Sequence, residues 1–173
     1  MTKGYNGSKT NEAICDLWQT PKQIFNYYDE RFTFEFDVAA SYDNSLCENY
    51  YGVEHDSLSD DCSWDGPNWC NPPYSDITPW VAKAVDEMKR GRLTVMLLPA
   101  DTSVQWFKLA FDNCTECHLI AGRLAYINAE TQKPISGNNK GSVVFVFDPK
   151  SPVKSQVCLI ERDEIMGQKK AHQ

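Results

Sequence analysis

The feature that most constrains the fold of this chain is a continuous apolar run, Leu93-Thr94-Val95-Met96-Leu97-Leu98. A strand with one face in water alternates apolar and polar residues, whereas a strand covered on both faces is apolar along its length. Pro99-Ala100-Asp101 follows the run directly and ends it. The run therefore predicts a central strand in a sheet that has helices on both faces.

Helices and strands alternate along the rest of the chain. Apolar positions recur at helical spacing over 22–28, with Thr20 as the predicted N-cap and Pro21 as the first helical residue. The other predicted elements are strands at 32–38, 68–70, 117–124 and 142–147, and helices at 78–89 and 103–111. This order predicts an α/β fold with a mostly parallel sheet and a terminal antiparallel hairpin that pairs 117–127 with 142–147.

The chain has the length of one domain with its own core, at 173 residues. We predict a flexible lead-in over 1–12, a folded domain over 13–160 and a flexible tail over 161–173. No stretch approaches the roughly 20 continuous apolar residues that a membrane span needs. The first residues also lack the apolar core of a signal peptide. We therefore expect a cytoplasmic protein.

Seven cysteines are scattered along the chain. An odd number at irregular spacing in a cytoplasmic protein favours free thiols over a disulfide framework. Cys114-Thr115-Glu116-Cys117-His118 has the spacing of half a zinc site, but no second close pair lies nearby. The segment also continues directly into apolar Leu119-Ile120. We therefore predict no metal site.

The charges are divided unevenly between two parts of the chain, whose net charge is −7. Residues 34–87 carry 12 acidic side chains against one lysine, Lys83, which gives a local net charge of −11. Residues 88–173 carry 12 basic and 8 acidic side chains, a balance of +4. Such a division suits a cationic small molecule on one side and phosphates on the other. For most individual charges, simple solvation at the surface is the alternative.

Asn71-Pro72-Pro73-Tyr74 halts the short apolar run Asn68-Trp69-Cys70. Two prolines cannot continue a central strand, so the backbone leaves the sheet at the edge where α/β sheets bind ligands. The Asn71 side-chain oxygen and the Pro72 carbonyl are acceptors that can hold the two N–H groups of a planar amine. Tyr74 offers a face on which an extruded base can stack. The motif therefore predicts methylation of such an amine, and a purely structural turn is the alternative.

This tetrapeptide resembles the catalytic motif of amino-methyltransferases, in which Asp, Asn or Ser precedes Pro-Pro-Tyr. Together with its flanking segments it resembles the small phage-encoded DNA N-6-adenine methyltransferase (Dam-like) family over roughly 15–148. The segments that carry the resemblance are Trp18-Gln19-Thr20-Pro21, Phe36-Asp37-Val38-Ala39-Ala40, Asn44 to Tyr51, Trp69 to Tyr74 with Pro79-Trp80, Gly122-Arg123-Leu124 and Gly141-Ser142. The resemblance implies a Rossmann-like, S-adenosylmethionine-dependent fold, duplex DNA as substrate, and a phage or prophage origin.

The resemblance also implies where the cofactor binds. Asp37 and Ala39 match the family's first cofactor motif, and Thr20 and Pro21 match the segment that closes over the methionine end. A carboxylate suits a cofactor that is cationic at sulfur and ammonium. Val38-Ala39-Ala40-Ser41 replaces the glycine-rich loop of the wider methyltransferase class. Because alanine is costly at positive φ, we expect this loop to take a different path.

The acid that contacts the cofactor's ribose or adenine is less sharply defined by the sequence. Asp56 lies 15 positions before Asn71 and is our first candidate. Asp43 and Glu54 belong to the same acidic stretch and are alternatives.

Basic and amide residues of the second half are the predicted DNA contacts, with 128–141 as a protruding hairpin loop. The candidates for phosphate or base contact are Lys108, Arg123, Lys133, Asn138, Asn139 and Lys140. A separate target-recognition domain does not fit in 173 residues. Sequence selectivity is therefore expected from short loops, and a homodimer is one way to share that work.

Two other functions are compatible with the sequence. The motif also suits the amide of a protein glutamine or the amine of guanine in RNA, because both are planar N–H groups. A non-catalytic acidic phage protein is the other alternative, with the segment of charge −11 imitating DNA. That alternative predicts no affinity for S-adenosylmethionine.

Overall fold

Two sheets organise the residues that the computed structural model describes, 18–135 and 140–167. The strands are β1 (Trp18–Gln19), β2 (Phe36–Asp37), β3 (Asn49–Tyr50), β4 (Asn68–Cys70), β5 (Thr94–Ala100), β6 (Glu116–Ala121), β7 (Ile127–Asn128), β8 (Gly141–Phe147) and β9 (Gln156–Glu161). The α-helices are α1 (Lys22–Phe32), α2 (Thr78–Lys89), α3 (Gln105–Asn113) and α4 (Arg162–Ile165). A 3₁₀ turn spans Val53–His55.

The larger sheet has seven strands in the order β3-β2-β4-β5-β8-β6-β9. The first four are mutually parallel, β8 is antiparallel to both β5 and β6, and β9 is parallel to β6. The predicted α/β fold with a mostly parallel sheet is therefore confirmed. The predicted antiparallel pairing of 117–127 with 142–147 is confirmed up to residue 120, but the strand ends at Ala121, and Ile127–Asn128 pairs with β1 instead. A separate small sheet pairs β1 with β7.

The central strand β5 is covered on both faces, as its continuous apolar run predicts. Met96 and Leu98 belong to a core cluster with residues of α2 and α3. Val95 and Leu97 belong to a second cluster with residues of α1 and with Ile165 of α4. All four β5 side chains are fully buried. The sheet is therefore the middle layer of three, and its carboxyl edge remains open for a site.

The start of α1 differs from the prediction. Pro21, rather than Thr20, is the N-cap, and the Pro21 carbonyl accepts the first helical bond from Ile24 N–H at 3.0 Å. Pro21 has an extended ψ of 134°, so its own backbone stands outside the helix. The predicted N-cap role of Thr20 is therefore wrong. Its side chain is buried elsewhere, in the pocket described below.

The predicted tail from 161 begins inside strand β9 and continues into α4. Ile165 of α4 is 3% exposed and packs in the α1-side cluster. The folded domain therefore extends beyond the predicted boundary at 160, at least to 167. The predicted lead-in over 1–12 and the last residues, 168–173, lie outside the described part of the chain.

The cysteines of the described residues form no disulfide, and both ring nitrogens of His118 have hydrogen-bond partners. The six cysteines in the described ranges are all free. His118 has one ring nitrogen 3.2 Å from the Tyr28 hydroxyl and the other 2.8 Å from a Glu116 oxygen. Over 18–135 and 140–167, no group of three His, Cys, Asp or Glu side chains is placed to hold a metal ion. No helix in those ranges is long and apolar enough to cross a bilayer.

The irregular segment between β3 and β4 is fixed to the sheet by buried hydrogen bonds. The Ser57 hydroxyl donates to the Val38 carbonyl at 2.6 Å, directly after β2. The indole of Trp64, which is fully buried, donates to the Ser57 carbonyl at 3.0 Å. Lys83 of α2 donates to the carbonyls of Ser59 and Cys62. The only lysine of the acidic stretch is therefore buried and structural.

We expect Glu87→Ala to lower the free energy of unfolding by about 3 kcal/mol, because Glu87 is fully buried and lies against three cations. Its loss removes the one carboxylate that forms an ion pair with Lys83 among the described residues, and Lys83 is only 9% exposed. Urea unfolding followed by circular dichroism measures the effect. Asp86→Ala is the matched control, since Asp86 pairs with Lys89 in solvent and should cost under about 0.5 kcal/mol. Equal losses in the two variants would contradict the burial argument.

Candidate active site

Asn71 lies directly after β4, at the carboxyl edge of the parallel strands. Its Nδ2 donates to the backbone carbonyl of Trp18 at 3.1 Å, and its Oδ1 accepts from the Tyr74 hydroxyl at 2.9 Å. Because a carbonyl can only accept, the contact with Trp18 fixes which end of the carboxamide is nitrogen. The Asn71 side chain is therefore held in one orientation.

The Tyr74 hydroxyl lies between the Asn71 side chain and the buried hydroxyl of Tyr126. The hydroxyl is 3.0 Å from that of Tyr126, and the two rings meet edge to face with centroids 6.1 Å apart. The ring of Trp18 stacks on that of Tyr126, with the two centroids 5.5 Å apart. Pro72 is buried beside them. The Pro-Pro-Tyr part of the motif is thus supported by an aromatic group drawn from three distant parts of the chain.

Five of the predicted site residues line one pocket at this edge of the sheet, which we call the Asn71 pocket. They are Thr20, Asp37, Ala39, Asn71 and Pro73. The structure therefore brings together the predicted cofactor segments and the predicted catalytic motif. Pro21, Pro72 and Tyr74 adjoin these residues in the chain and are not among those that line the pocket.

Asp37 is the ionisable side chain among the residues that line the Asn71 pocket, and its pKa is shifted by the fold. It is 4% exposed, and burial raises the pKa of its carboxyl to about 6. Backbone N–H groups of Leu46 and Ala39 donate to the carboxylate and act in the opposite direction. Within the described residues, no lysine, arginine or histidine forms an ion pair with it. The site therefore contains a buried carboxylate suited to a cationic ligand.

The loop after β2 takes a path that needs no glycine. None of residues 38–41 has a positive φ. Instead, the N–H of Ala40 donates to the Tyr51 carbonyl at 3.2 Å, and the N–H of Ser41 donates to the Asn44 side chain at 2.6 Å. This is the different path that the alanines predict, because neighbouring segments take up the backbone donors that a glycine-rich loop would leave for its ligand.

The pocket also contains residues to which the sequence assigned no role. These are Trp18, Gln19, Asn44, Leu46 and Ala129. The segments Trp18–Pro21 and Asn44–Tyr51 carried part of the family resemblance, which was the available signal for four of them. Ala129 follows β7, and only the pairing of β7 with β1 brings it to the pocket.

Asp56, the first candidate for a ribose contact, is not among the residues that line the Asn71 pocket. It is exposed and has a left-handed backbone (φ 43°) at the end of the 3₁₀ turn. Aspartate tolerates this conformation better than most residues, which gives Asp56 a structural reason to stand there. Its cofactor contact stays a prediction, as do those of Asp43 and Glu54.

The predicted DNA-binding residues fall into two groups. Lys108 and Lys140 are paired with Asp112 and Asp101, each at 2.6 Å. Arg123 and Lys133 are exposed, and Lys133 lies in the turn that follows β7. Asn138 and Asn139 lie outside the described residues. The contacts of these residues with DNA stay predictions.

The resemblance seen in the sequence is confirmed by comparison with known proteins. The model of a family described as DNA N-6-adenine-methyltransferase (Dam) matches residues 7–171. A DNA N-6-adenine-methyltransferase of Escherichia phage T1 is 39% identical over an alignment covering 83% of this chain and 67% of the phage protein. Another, of Haemophilus phage HP1 (strain HP1c1), is 34% identical and covers 90% of this chain and 89% of its own. The chain therefore belongs to the DNA N-6-adenine-methyltransferase (Dam) family.

Proposed function

We propose that this protein transfers a methyl group from S-adenosylmethionine to the exocyclic amino group of adenine in DNA. The observation that carries the proposal is that the Asn71 carboxamide and the buried Asp37 carboxylate line one pocket. The first is a group for holding a planar amine, and the second is a group for holding a cation. Family membership supports adenine in DNA as the acceptor.

The residues of the Asn71 pocket fit S-adenosylmethionine. Asp37 is buried without a cationic partner among the described residues, and an ammonium or sulfonium group would provide one. Thr20 and Asn44 offer further polar side chains at the same pocket. When bound, S-adenosylmethionine supplies an electrophilic methyl group on a positively charged sulfur. Asp37 would stabilise the bound form and take no part in the transfer itself.

Asn71 acts on the adenine amine, whose nitrogen lone pair is delocalised into the ring and is therefore a poor nucleophile. The Asn71 oxygen accepts one hydrogen bond from Tyr74 and has a second lone pair for an amine N–H. The Pro72 carbonyl is the proposed second acceptor. Two acceptors directed at the two N–H groups favour a tetrahedral nitrogen with an available lone pair. Transfer would break the bond between sulfur and the methyl group, form the bond between nitrogen and the methyl group, and leave S-adenosylhomocysteine. The methylated nitrogen is then cationic and loses its extra proton to water, so no strong base is required.

The DNA side of the site rests on exposed basic residues and on Tyr74. A base extruded from the duplex would reach Asn71 beside the Tyr74 ring, as the motif predicts. Among the described residues, Arg123, Lys133 and Lys108 are exposed candidates for phosphate contact, and the Lys108 side chain is 79% exposed although it pairs with Asp112. A homodimer and a location in the cytoplasm of a bacterial host stay predictions.

The test is methyl transfer from radiolabelled S-adenosylmethionine, offered in parallel to duplex DNA, RNA and protein. We expect label in DNA alone, recovered as N6-methyladenine after digestion. Sequencing of methylated adenines in DNA from expressing cells would then give the recognised site. Label that appears only in protein or only in RNA would refute the DNA assignment. Absence of binding heat with S-adenosylmethionine in several buffers would refute the cofactor assignment.

We expect the affinity for S-adenosylmethionine to depend on the ionisation of Asp37. The pKa of Asp37 is about 6 in the free protein, so the carboxylate is formed above that pH and a cation binds it. Below pH 6 the affinity should fall about tenfold per pH unit, because a proton then competes with the ligand. Isothermal titration between pH 5 and 8 measures this, and a flat profile would contradict the role of Asp37. The same series on Asp37→Asn should lack the dependence.

A further inference from the structure

The Tyr74 hydroxyl belongs to a longer series of hydrogen bonds that ends inside the sheet. The hydroxyl of Tyr126 is 3.0 Å from that of Tyr74 and 3.2 Å from Ser142 Oγ in β8. Tyr126 and Ser142 are each only 1% exposed. Bulk water therefore cannot satisfy these hydroxyls, and their proper partners lie within the protein.

The direction of each bond follows from the end of the series at Asn71. A carboxamide oxygen only accepts, so the bond to it uses the single proton of the Tyr74 hydroxyl. Tyr74 then accepts from Tyr126, and Tyr126 in turn accepts from Ser142. The carbonyl of Leu97 competes for the Tyr74 proton from the longer distance of 3.4 Å. A proton donated by Tyr126 to Tyr74 strengthens the shorter bond to Asn71, because neighbouring hydrogen bonds polarise one another.

Tyr126 also supports the other end of the Asn71 carboxamide, through Trp18. The Trp18 ring stacks on Tyr126, and the Trp18 carbonyl accepts from Asn71 Nδ2. Both hydrogen bonds that orient the Asn71 side chain therefore come from residues in contact with Tyr126. Its ring sets the position of Trp18, and its hydroxyl sets the direction of the Tyr74 proton.

We propose that Tyr126 and Ser142 are positioning residues for methyl transfer, which hold the Asn71 oxygen where one of its lone pairs faces the adenine amine. The inference rests on the proposed function, since it assumes that Asn71 holds the amine. Neither residue touches the reacting atoms. The effect of their hydroxyl groups passes through Tyr74, so it should vanish when the Tyr74 hydroxyl is absent.

The first test is Tyr126→Phe, which keeps the stacked ring and removes only the hydroxyl. We expect kcat to fall about tenfold, while the Kd for S-adenosylmethionine and the KM for DNA stay within about twofold. Ser142→Ala should shift kcat in the same direction by about threefold, because it acts one bond further away. Tyr27→Phe is the matched control, since it also removes a tyrosine hydroxyl bond, to Glu164 at 2.8 Å, far along the chain from the motif.

A double-mutant cycle separates positioning from general stability. In a Tyr74→Phe background, the further change Tyr126→Phe should leave kcat unaltered, because the series to Asn71 is already interrupted. Independent losses that multiply would overturn the proposal, as would a kcat of Tyr126→Phe equal to that of the wild type. If Tyr126→Phe does not fold, the same cycle with Ser142→Ala decides the question.

A measurement without turnover keeps this inference distinct from the proposed function. The side-chain N–H₂ resonances of Asn71 in ¹⁵N NMR report directly the hydrogen bond that Nδ2 donates to Trp18. They also respond to the bond that Oδ1 accepts from Tyr74, because that bond polarises the whole carboxamide. We expect Tyr126→Phe to shift these resonances and speed their exchange with water, and Tyr27→Phe to leave both unchanged. Unaltered resonances in Tyr126→Phe would overturn the positioning role even if DNA is methylated. A wild type that does not methylate DNA would instead refute the proposed function, and the NMR result would still stand.

Discussion

Replacement of Asn71 by alanine is expected to lower kcat for methyl transfer to DNA by about 10³-fold, while S-adenosylmethionine still binds within about fivefold of the wild-type Kd. The variant removes the acceptor that we propose holds the adenine amine. It also removes the hydrogen bond that Asn71 donates to the Trp18 carbonyl, and it leaves the Leu97 carbonyl without the competition of Asn71 for the Tyr74 proton. The proposed contacts of Asp37 with the cofactor should remain. Single-turnover methylation of duplex DNA and calorimetry with the cofactor measure the two quantities separately.

Two further substitutions test the reason for that loss. Asn71→Asp keeps an acceptor for the amine but loses the donor to the Trp18 carbonyl, so we expect a kcat between those of the wild type and Asn71→Ala. Asn113→Ala is the control, since it removes another side-chain amide that donates to a carbonyl, that of Leu109 in α3. If Asn71→Ala transferred methyl groups at the wild-type rate, the chemical role of the motif would have to be abandoned.

Replacement of Asp37 by asparagine should have the second large effect, a loss of affinity for S-adenosylmethionine. We expect the Kd for S-adenosylmethionine to rise at least about 100-fold at pH 7.5, because a buried charge that pairs with a cation is lost. The asparagine NH₂ group would also face the backbone N–H groups of Ala39 and Leu46, which now donate to the carboxylate. Calorimetry or fluorescence titration measures the change.

The same substitution should stabilise the free protein above pH 6. The folded pKa of Asp37, about 6, exceeds its ordinary value of 3.8, so the folded state binds this proton more tightly than the unfolded state does. The free energy of unfolding therefore falls as the pH rises from 3.8 to about 6. The loss is at most about 3 kcal/mol, and structural relaxation around the carboxylate makes it smaller. Asp37→Asn removes this loss. The unfolding free energies of the two proteins should converge near pH 4 and diverge in favour of the variant at pH 7.

A control separates Asp37 from the general acidity of its surroundings. Asp60→Asn removes one charge from the same acidic stretch, but Asp60 is exposed and not among the residues that line the Asn71 pocket. We expect it to change cofactor affinity less than about twofold. A loss as large as that of Asp37→Asn would show that the overall field, rather than one buried carboxylate, holds the cation.

Strong local patterns made most of the fold predictable from the sequence. The apolar run of β5 indicated a strand covered on both faces, and helical spacing located α2 at the residues that the structure shows. Strand β9 escaped prediction because it lies at the edge of the sheet, with Val157 and Leu159 exposed at 53% and 70%. An edge strand with apolar residues toward solvent lacks the alternation that marks a half-buried strand.

The candidate site was predictable where its proposed function depends on residues that are adjacent in the chain. Asn71-Pro72-Pro73-Tyr74 is contiguous, and its position after β4 follows from the two prolines. Tyr126 could not be assigned, because its role depends on contacts with Trp18, Tyr74 and Ser142 that lie far apart in the sequence. The two-residue strands β1 and β7 are too short to leave a periodic pattern, although their pairing closes one side of the pocket.

The hydrogen bond from Asn71 to Trp18 bears on which changes the protein can tolerate during evolution. The acceptor is a backbone carbonyl, which every amino acid supplies, so a substitution at position 18 alters the stacking on Tyr126 but keeps the acceptor. An insertion or deletion acts differently, because it shifts β1 against β7 and moves the carbonyl away from the carboxamide. The short β1–β7 pairing should therefore accept many changes of residue type and very few changes of length.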